Sequence, residues 1–299
     1  MSSVFSQMII LITFALAGYI LSKLGKVDAS HAKILSVLEI FVFLPCTVIK
    51  TFSRNFTVKY FKNNYDLIIV GAIILVSVIC VSLLIASILC KKSYERNVYI
   101  YSLIVPNTGY IGYALAEALY GSKTLQDVMI FGISMNIFIN TVGYCLLTKK
   151  KITLRNLCNP VVISMLIGAV IGITSLKLPD TALKILDSGS GCMAPVSMII
   201  AGIVVSEFNL IKLLVNYKNY IVIALRLLII PAAIAIVLNL IGAKEYVLYA
   251  VLIYALPCGM NGVVFPKLVD ENSETGAALA FISTLLSCLS IPLMINIFL

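Results

Sequence analysis

Ten long apolar segments dominate the 299-residue sequence. A helix needs about 20 mostly apolar residues to cross the hydrocarbon core of a bilayer. We predict membrane spans at 4–22, 34–53, 66–90, 97–120, 125–147, 159–176, 182–206, 219–241, 245–267 and 276–298. Charged residues make up only 12% of the chain, about half the share found in soluble domains. This composition excludes a cytosolic enzyme, a disordered protein and a small secreted disulfide scaffold.

The formal net charge of +9 comes from short basic clusters between the apolar segments, such as Lys91-Lys92 and Lys149-Lys150-Lys151. Clusters of this kind are typical of cytoplasmic loops, so we expect no nucleic-acid partner. Of the 22 Lys and Arg residues, 13 lie in loops after odd-numbered spans and 8 in loops after even-numbered spans. The positive-inside rule then predicts a multi-pass protein of the cytoplasmic membrane with both termini outside the cell.

Prolines recur at matching places in the two halves of the sequence. Pro45 lies in span 2 and Pro195 in span 7, while Pro106 lies in span 4 and Pro257 in span 9. We expect these four prolines to act as hinges or crossover points, because proline removes a helical hydrogen bond and clashes with the preceding turn.

The spacing of these prolines predicts an internal repeat of five spans. An odd number of spans gives the two halves opposite orientations, and such inverted repeats are common in secondary transporters. We predict an all-α polytopic membrane protein made of a first repeat, residues 1–148, a cytoplasmic linker, residues 149–158, and a second repeat, residues 159–299.

Spans 4 and 9 carry further helix-breaking residues after their prolines, in the runs 105–109 and 256–262. Gly and Asn disfavour a continuous helix, and backbone groups freed inside a membrane must line a cavity or be buried in protein. We predict that both spans break near the midplane. The N-terminal ends of the resumed helices would then suit a carboxylate. A simpler interpretation is that these residues mark kinks or tight helix packing.

The candidate substrate-binding residues are polar or glycine residues at these two breaks and on span 5. They are Asn107, Thr108, Gly109, Gly259, Asn261, Asn136 and Asn140. Amides and hydroxyls can donate hydrogen bonds to a carboxylate, and glycine lets a ligand approach the backbone closely. Asn136 and Asn140 are four residues apart and share one helix face, so hydrogen bonds between helices explain them equally well.

Three charged residues within predicted spans are candidates for coupling, because a charge costs about 2.5–3.5 kcal/mol to insert at the bilayer centre. Glu39 precedes Pro45 by six residues and fits a proton-coupling group, or else a group that reaches a cytoplasmic vestibule or pairs with a lysine. Glu117 fits a functional role or a solvated outer funnel. Arg226 either snorkels towards the inner face or attracts an anion.

The sequence lacks the motifs of metal and cofactor chemistry. The eight Cys form no C-x-x-C pair, and the single His, His31, lies in a basic loop. There is also no phosphate-binding G-x-x-x-x-G-K-[ST] motif. We expect no metal, no cofactor and no catalytic residues.

Two segments resemble the signatures of the auxin efflux carrier family, which includes bacterial PIN-like relatives of the plant PIN transporters. The run Val105-Pro106-Asn107-Thr108-Gly109-Tyr110-Ile111-Gly112 is similar to the first-half signature, and 257–264 is similar to the second. The segments 159–172 and 283–292 also fit, so the resemblance runs nearly end to end. The chain lacks the long hydrophilic central loop of plant PINs.

The resemblance implies ten helices in which broken helices 4 and 9 cross. It implies a scaffold of helices 1, 2, 6 and 7 beside a transport domain of helices 3–5 and 8–10. It also implies transport of small organic anions, and family precedent suggests a homodimer.

We therefore predict a secondary transporter, not an enzyme, that moves a small organic carboxylate across the membrane by alternating access. Membrane potential or a proton would drive it. The alternative is a channel-like or ligand-sensing membrane protein on the same fold. The sequence leaves open the substrate, the direction of transport, the coupling ion and the oligomeric state.

Overall fold

The computed structural model describes residues 2–91, 93–151, 160–208, 215–267, 269 and 271–299. This part of the chain is helical throughout, and its one extended pairing is an isolated antiparallel bridge between Pro106 and Cys258. The predicted linker, residues 149–158, lies outside the described residues from residue 152 onward.

The helices follow one another with short connections. In chain order they are α1 (Ser2–Lys23), α2 (Ala29–Leu38), α3 (Leu44–Asn55), α4 (Val58–Asn64), α5 (Asp66–Leu89), α6 (Ser93–Ile104), α7 (Tyr113–Phe131), α8 (Ile133–Phe138), α9 (Tyr144–Thr148), α10 (Pro160–Ile173), α11 (Asp180–Ser206), α12 (Tyr217–Ala224), α13 (Ile230–Leu240), α14 (Val247–Tyr254), α15 (Asn261–Lys267) and α16 (Glu274–Phe298). Wider π-helical turns join several of them, at Glu39–Phe43, Thr108–Gly112, Ile139–Gly143 and Leu225–Ile229.

Several helical segments in the described ranges are long and apolar enough to cross a membrane. Five meet this criterion alone: Ser30–Asn55, Asp66–Leu89, Asp180–Ser206, Tyr217–Leu240 and Glu274–Phe298. A sixth is added if Tyr113–Phe131 and Ile133–Thr148, bent by 52°, count as one span. The predicted total of ten spans stays a prediction, because spans 1 and 6 fall in shorter apolar helices and the helices of spans 4 and 9 are interrupted.

The connection between predicted spans 4 and 5 is shorter than their predicted ends, residues 120 and 125, indicate. The helix α7 is kinked there at a single non-helical residue, Gly121. Its φ of 81° lies in the left-handed region that glycine adopts without strain. The chain therefore turns at one residue, whereas the hydropathy pattern predicted a connection of four residues.

The interior of the protein is built around α6 and α14. Side chains such as Tyr99, Leu103 and Leu252 are almost completely buried on all sides of these two helices. By contrast, α5 and α13 expose large apolar side chains, including Ile88 and Leu240. Exposed apolar faces of this kind suit a lipid environment. The helices α6 and α14 therefore lie at the centre of an apolar bundle.

Small residues allow two pairs of helices to pack at very close range. A Cβ atom at Gly202 of α11 would lie 1.9 Å from the carbonyl oxygen of Ala15 in α1. A Cβ atom at Gly172 of α10 would lie 2.2 Å from the carbonyl oxygen of Phe56, the residue after α3. These contacts pair span 1 with span 7 and span 6 with span 2, so they are equivalent under the predicted repeat. They join the four helices that the resemblance assigns to the scaffold.

The close contact at Gly202 generates a stability prediction. We expect Gly202→Ala to lower thermal stability in detergent, because overpacking a tight contact costs about 1–3 kcal/mol. Gly191→Ala is the matched control on the same helix, since a Cβ atom there meets nothing within 4 Å. Thermal unfolding of both variants checks the prediction. Equal melting temperatures for the two variants would show that α1 does not approach α11 this closely.

Candidate functional site

Two helices are interrupted where they meet in the interior. The helix α6 ends at Ile104, and helical structure resumes in the π turn that begins at Thr108. The helix α14 ends at Tyr254, and α15 begins at Asn261. The two interruptions lie side by side and run antiparallel. These are the positions of the predicted Pro106 and Pro257 breaks.

Backbone hydrogen bonds hold the two interruptions together. The Asn107 N–H donates to the Pro257 carbonyl at 2.9 Å, and the Gly259 N–H donates to the Val105 carbonyl at 3.0 Å. Buried backbone groups without a partner are costly in an apolar interior. Each interruption thus satisfies groups that the other one frees, and the pair forms one structural unit.

The helix α16 supports this unit from one side. The Ser283 hydroxyl accepts a hydrogen bond from the Cys258 N–H at 2.9 Å and lies 3.2 Å from the Ala280 carbonyl, to which it donates. Ser283 entered the sequence analysis only as part of the family resemblance. A serine in an apolar helix gives no signal of which distant backbone group it contacts.

A cavity of about 160 Å³ lies against the crossing. Its wall includes all seven candidate substrate-binding residues: Asn107, Thr108, Gly109, Asn136, Asn140, Gly259 and Asn261. The wall also includes Glu39, Tyr113 and several apolar side chains, among them Leu44 and Phe265. The structure therefore brings together residues from both halves of the chain at one small site.

The amides in this cavity are not equally available. The Asn136 Nδ2 donates to the Tyr113 hydroxyl at 3.1 Å and to the Gly132 carbonyl at 3.3 Å, and the Asn140 Nδ2 donates to the Asn136 carbonyl at 2.9 Å. The Asn107 side chain is 2% exposed, and its Nδ2 has no partner among the described residues. An unsatisfied buried donor costs about 1–3 kcal/mol, so Asn107 is the donor best placed to receive a ligand.

Glu39 lies on the same cavity and is 3% exposed. One of its carboxyl oxygens is hydrogen-bonded to the Ser197 hydroxyl of α11, and the other has no partner in the described parts of the chain. The alternative of a lysine partner for Glu39 is therefore not what the structure shows. Pro45 is the second residue of α3, six residues after Glu39, and Pro195 lies within α11, two residues before Ser197. Both predicted hinges thus flank this contact.

Glu117 does not line this cavity. Its carboxylate lies 3.2 Å from the Lys50 ammonium, which is also 3.3 Å from the Asp187 carboxylate. Arg54 binds the same Asp187 at 3.2 Å. This network joins α3, α7 and α11. Glu117 also borders a second cavity, together with Gln7 and Phe14, so its functional role and the solvated outer funnel both stay predictions.

The structure contradicts one of the two roles predicted for Arg226, and the other, attraction of an anion, stays a prediction. It does not snorkel: its side chain is fully buried, at 0% exposure. Its Nη2 donates to the Ile253 carbonyl at 3.4 Å, and its guanidinium carbon lies 5.7 Å from the centre of the Tyr254 ring. It sits against the C-terminal end of α14, where the helix dipole favours a cation. Tertiary packing explains this burial, because the π turn Leu225–Ile229 lies against α6 and α16, and the Arg226 side chain itself reaches α14.

Comparisons with known proteins identify the family. A family model described as "Membrane transport protein" matches residues 3–153 and again residues 145–295. The chain therefore belongs to this family, the auxin efflux carrier family, and the expected family membership is confirmed. The double match also fits an internal repeat.

Two archaeal relatives match almost the whole chain. An uncharacterized transporter of Methanocaldococcus jannaschii is 24% identical over 296 residues, which cover 95% of this chain and 96% of that protein. An uncharacterized transporter of Methanothermobacter thermautotrophicus is 26% identical over 299 residues, which cover 94% of each. Together with the long apolar helices, these matches support a multi-pass membrane transporter, and transporters in general are not enzymes.

The burial of Arg226 generates a second stability prediction. Its Nε and Nη1 have no partner among the described residues. Burying a charge that is not paired and fully hydrogen-bonded is costly, because the charge loses its hydration. We therefore expect Arg226→Met to raise the melting temperature in detergent, and Arg226→Lys, which keeps the charge, to leave it unchanged or lower it.

The opposite ranking would contradict this interpretation. If Arg226→Met unfolds at a lower temperature than Arg226→Lys, the cation is needed to hold the carbonyl end of α14, and its burial is a stabilising feature of the fold.

Proposed function

We propose that this protein is a secondary transporter that moves a small organic carboxylate across the cytoplasmic membrane by alternating access. In this proposal, ten spans form two inverted repeats, residues 1–148 and 159–299, with interrupted helices 4 and 9 crossing between them. Helices 1, 2, 6 and 7 form a scaffold, and helices 3–5 and 8–10 form the moving transport domain. The bilayer and the anion are the partners that this function requires, and a homodimer stays an expectation from the family resemblance.

The cavity at the crossing is the observation that carries the proposal. It presents the unpartnered Asn107 amide, and it borders the start of the helical turn at Thr108. This turn continues into α7, so its first N–H groups have no acceptor within the helix and attract an anion. Arg226, buried against the end of α14, adds a positive charge to the same bundle. These features favour a carboxylate over a cation.

The remaining wall of the cavity favours an organic ligand of small size. Ile40, Leu44, Met260 and Phe265 line it alongside the polar groups. Apolar walls with a few well-placed polar groups are typical of small-molecule sites. A volume of about 160 Å³ suits a small acid rather than a large conjugate.

The position of the cavity supports a state that is open to one side. Pro160 and Val161, the first residues of α10, belong to its wall, so it extends towards the end of the bundle where the linker joins the repeats. The ion pair of Lys50 with Glu117 lies outside the cavity wall, and it joins α3 of the proposed scaffold to α7 of the proposed transport domain. With the linker in the cytoplasm and both termini outside, this arrangement corresponds to an inward-facing state.

Uptake by proteoliposomes tests the proposed function. We expect the wild type to exchange at least one acid from a panel of radiolabelled mono- and dicarboxylates with saturable kinetics. Asn107→Ala removes the free amide but keeps the backbone N–H that bonds Pro257. A lost hydrogen bond to a charged ligand is worth about 1.5–3 kcal/mol, so we expect apparent affinity to fall about 10- to 100-fold.

Asn239→Ala is the matched control, because this exposed asparagine of α13 bonds only the Ala235 carbonyl of its own helix. It should exchange like the wild type. Normal affinity in Asn107→Ala would place the site elsewhere and leave the crossing as a hinge. Flux that rises linearly with concentration would favour the channel-like alternative, and binding without flux would favour a sensor.

A further inference from the structure

We infer that Glu39 is the proton-binding site that couples carboxylate transport to a proton gradient. The proposal rests on the transport function above and names its driving ion. Its evidence is separate, since it concerns span 2 and its contact with α11 rather than the crossing of spans 4 and 9.

The Ser197 hydroxyl makes two contacts with acceptor atoms but carries only one hydrogen. The Ser197 Oγ lies 2.7 Å from the Met193 carbonyl and also within hydrogen-bond distance of a Glu39 carboxyl oxygen. A hydroxyl has one hydrogen to donate, and it cannot donate to both acceptors. A protonated Glu39 resolves this: the carboxylic acid donates to Ser197, and Ser197 donates to Met193. An ionised Glu39 leaves one of the two contacts without a hydrogen.

The ionised form of Glu39 would be a buried charge without a partner. The Glu39 side chain is 3% exposed, and its second oxygen has no hydrogen-bond partner in the described part of the protein. No ion pair to Glu39 is found there either, whereas Glu117 and Asp187 are both paired with cations. An isolated buried carboxylate is strongly disfavoured unless it is neutralised. A proton is the smallest ligand that neutralises it.

Among the residues that the structure describes, no other group around Glu39 is placed to take up this proton. On its own segment, Ser30–Asn55, Lys33 is exposed and His31 pairs with Asp28. Further along, Lys50 pairs with Glu117 and Asp187, and Arg54 pairs with Asp187. The sequences of α10 and of the turn Thr108–Gly112 contain no charged residue. On α11, the charged residues outside the ion pairs are Asp180 and Lys184, at the end of the helix far from Ser197. Tyr113 is the other titratable side chain in the cavity, and tyrosine normally titrates near pH 10.

Coupling follows because Glu39 and Asn107 line the same small cavity. A carboxylate bound at Asn107 is repelled by an ionised Glu39 and tolerated by a protonated one. Binding of the anion and of the proton therefore favour each other, and this linkage is reciprocal. A monocarboxylate and one proton enter the site as a neutral pair. The protonation state of Glu39, on the proposed scaffold, thus controls anion binding at Asn107, on the proposed transport domain.

The test is carboxylate accumulation driven by a pH difference in proteoliposomes, beside exchange at equal pH. For one proton per monocarboxylate, a difference of one pH unit supports about tenfold accumulation. We expect this in the wild type. Glu39→Gln, which mimics the protonated side chain, should keep exchange but lose accumulation driven by pH, and its net flux should become sensitive to membrane potential. Glu245→Gln, which alters an exposed acid in the turn before α14 and outside the cavity, should accumulate substrate like the wild type.

A measurement on the wild type alone tests the proposal even if Glu39→Gln fails to fold. A pH-sensitive dye inside the liposomes should report acidification when the carboxylate is added, beyond that seen in protein-free liposomes. No acidification, no accumulation by a pH difference, or full accumulation by Glu39→Gln would overturn the proton coupling while exchange still supports transport. Absence of exchange for every acid, at every pH, would overturn the transport function and this inference with it.

Discussion

The pair of backbone hydrogen bonds between the two interrupted helices is the interaction on which the rest of this structure depends. An apolar bundle in a membrane tolerates freed N–H and C=O groups only where protein or a cavity satisfies them. Here the Asn107 N–H bonds Pro257 and the Gly259 N–H bonds Val105. Because one interruption comes from each half of the chain, each half needs the other to satisfy its own backbone. The cavity then forms where these helices resume.

Close glycine contacts and polar contacts together hold the helices around the crossing. Close glycine contacts fix α1 against α11 and α3 against α10, which makes that side compact. The crossing is held to the other helices by directional polar contacts, such as the Ser283 hydroxyl on Cys258 and the Arg226 guanidinium on Ile253. Equally close glycine contacts lie among the other helices, where a Cβ atom at Gly71 or Gly276 would lie 2.1 Å from the carbonyl oxygen of Phe131 or Gly262. Both parts of the bundle are therefore tightly packed.

Much of the site could be predicted because its signal is local. Proline followed by Asn and Gly identifies a helix interruption without any tertiary information, and Asn107 and Asn261 were found in this way. The burial of Arg226 could not be predicted, because it depends on which helices surround the turn Leu225–Ile229. The Ser197 partner of Glu39 could not be predicted either, since 158 residues separate them. The single-residue turn at Gly121 was missed because hydropathy does not report backbone angles.

A structure with a bound, bromine-labelled carboxylate that the protein exchanges tests the central claim most directly. The account predicts the bromine's anomalous signal inside the cavity at the crossing, with the carboxylate at hydrogen-bond distance from the Asn107 amide. A signal instead in the apolar groove lined by Leu11, Met198 and Phe281, with an empty cavity at the crossing, would contradict it. The two interrupted helices would then serve to bend the protein and not to bind its substrate.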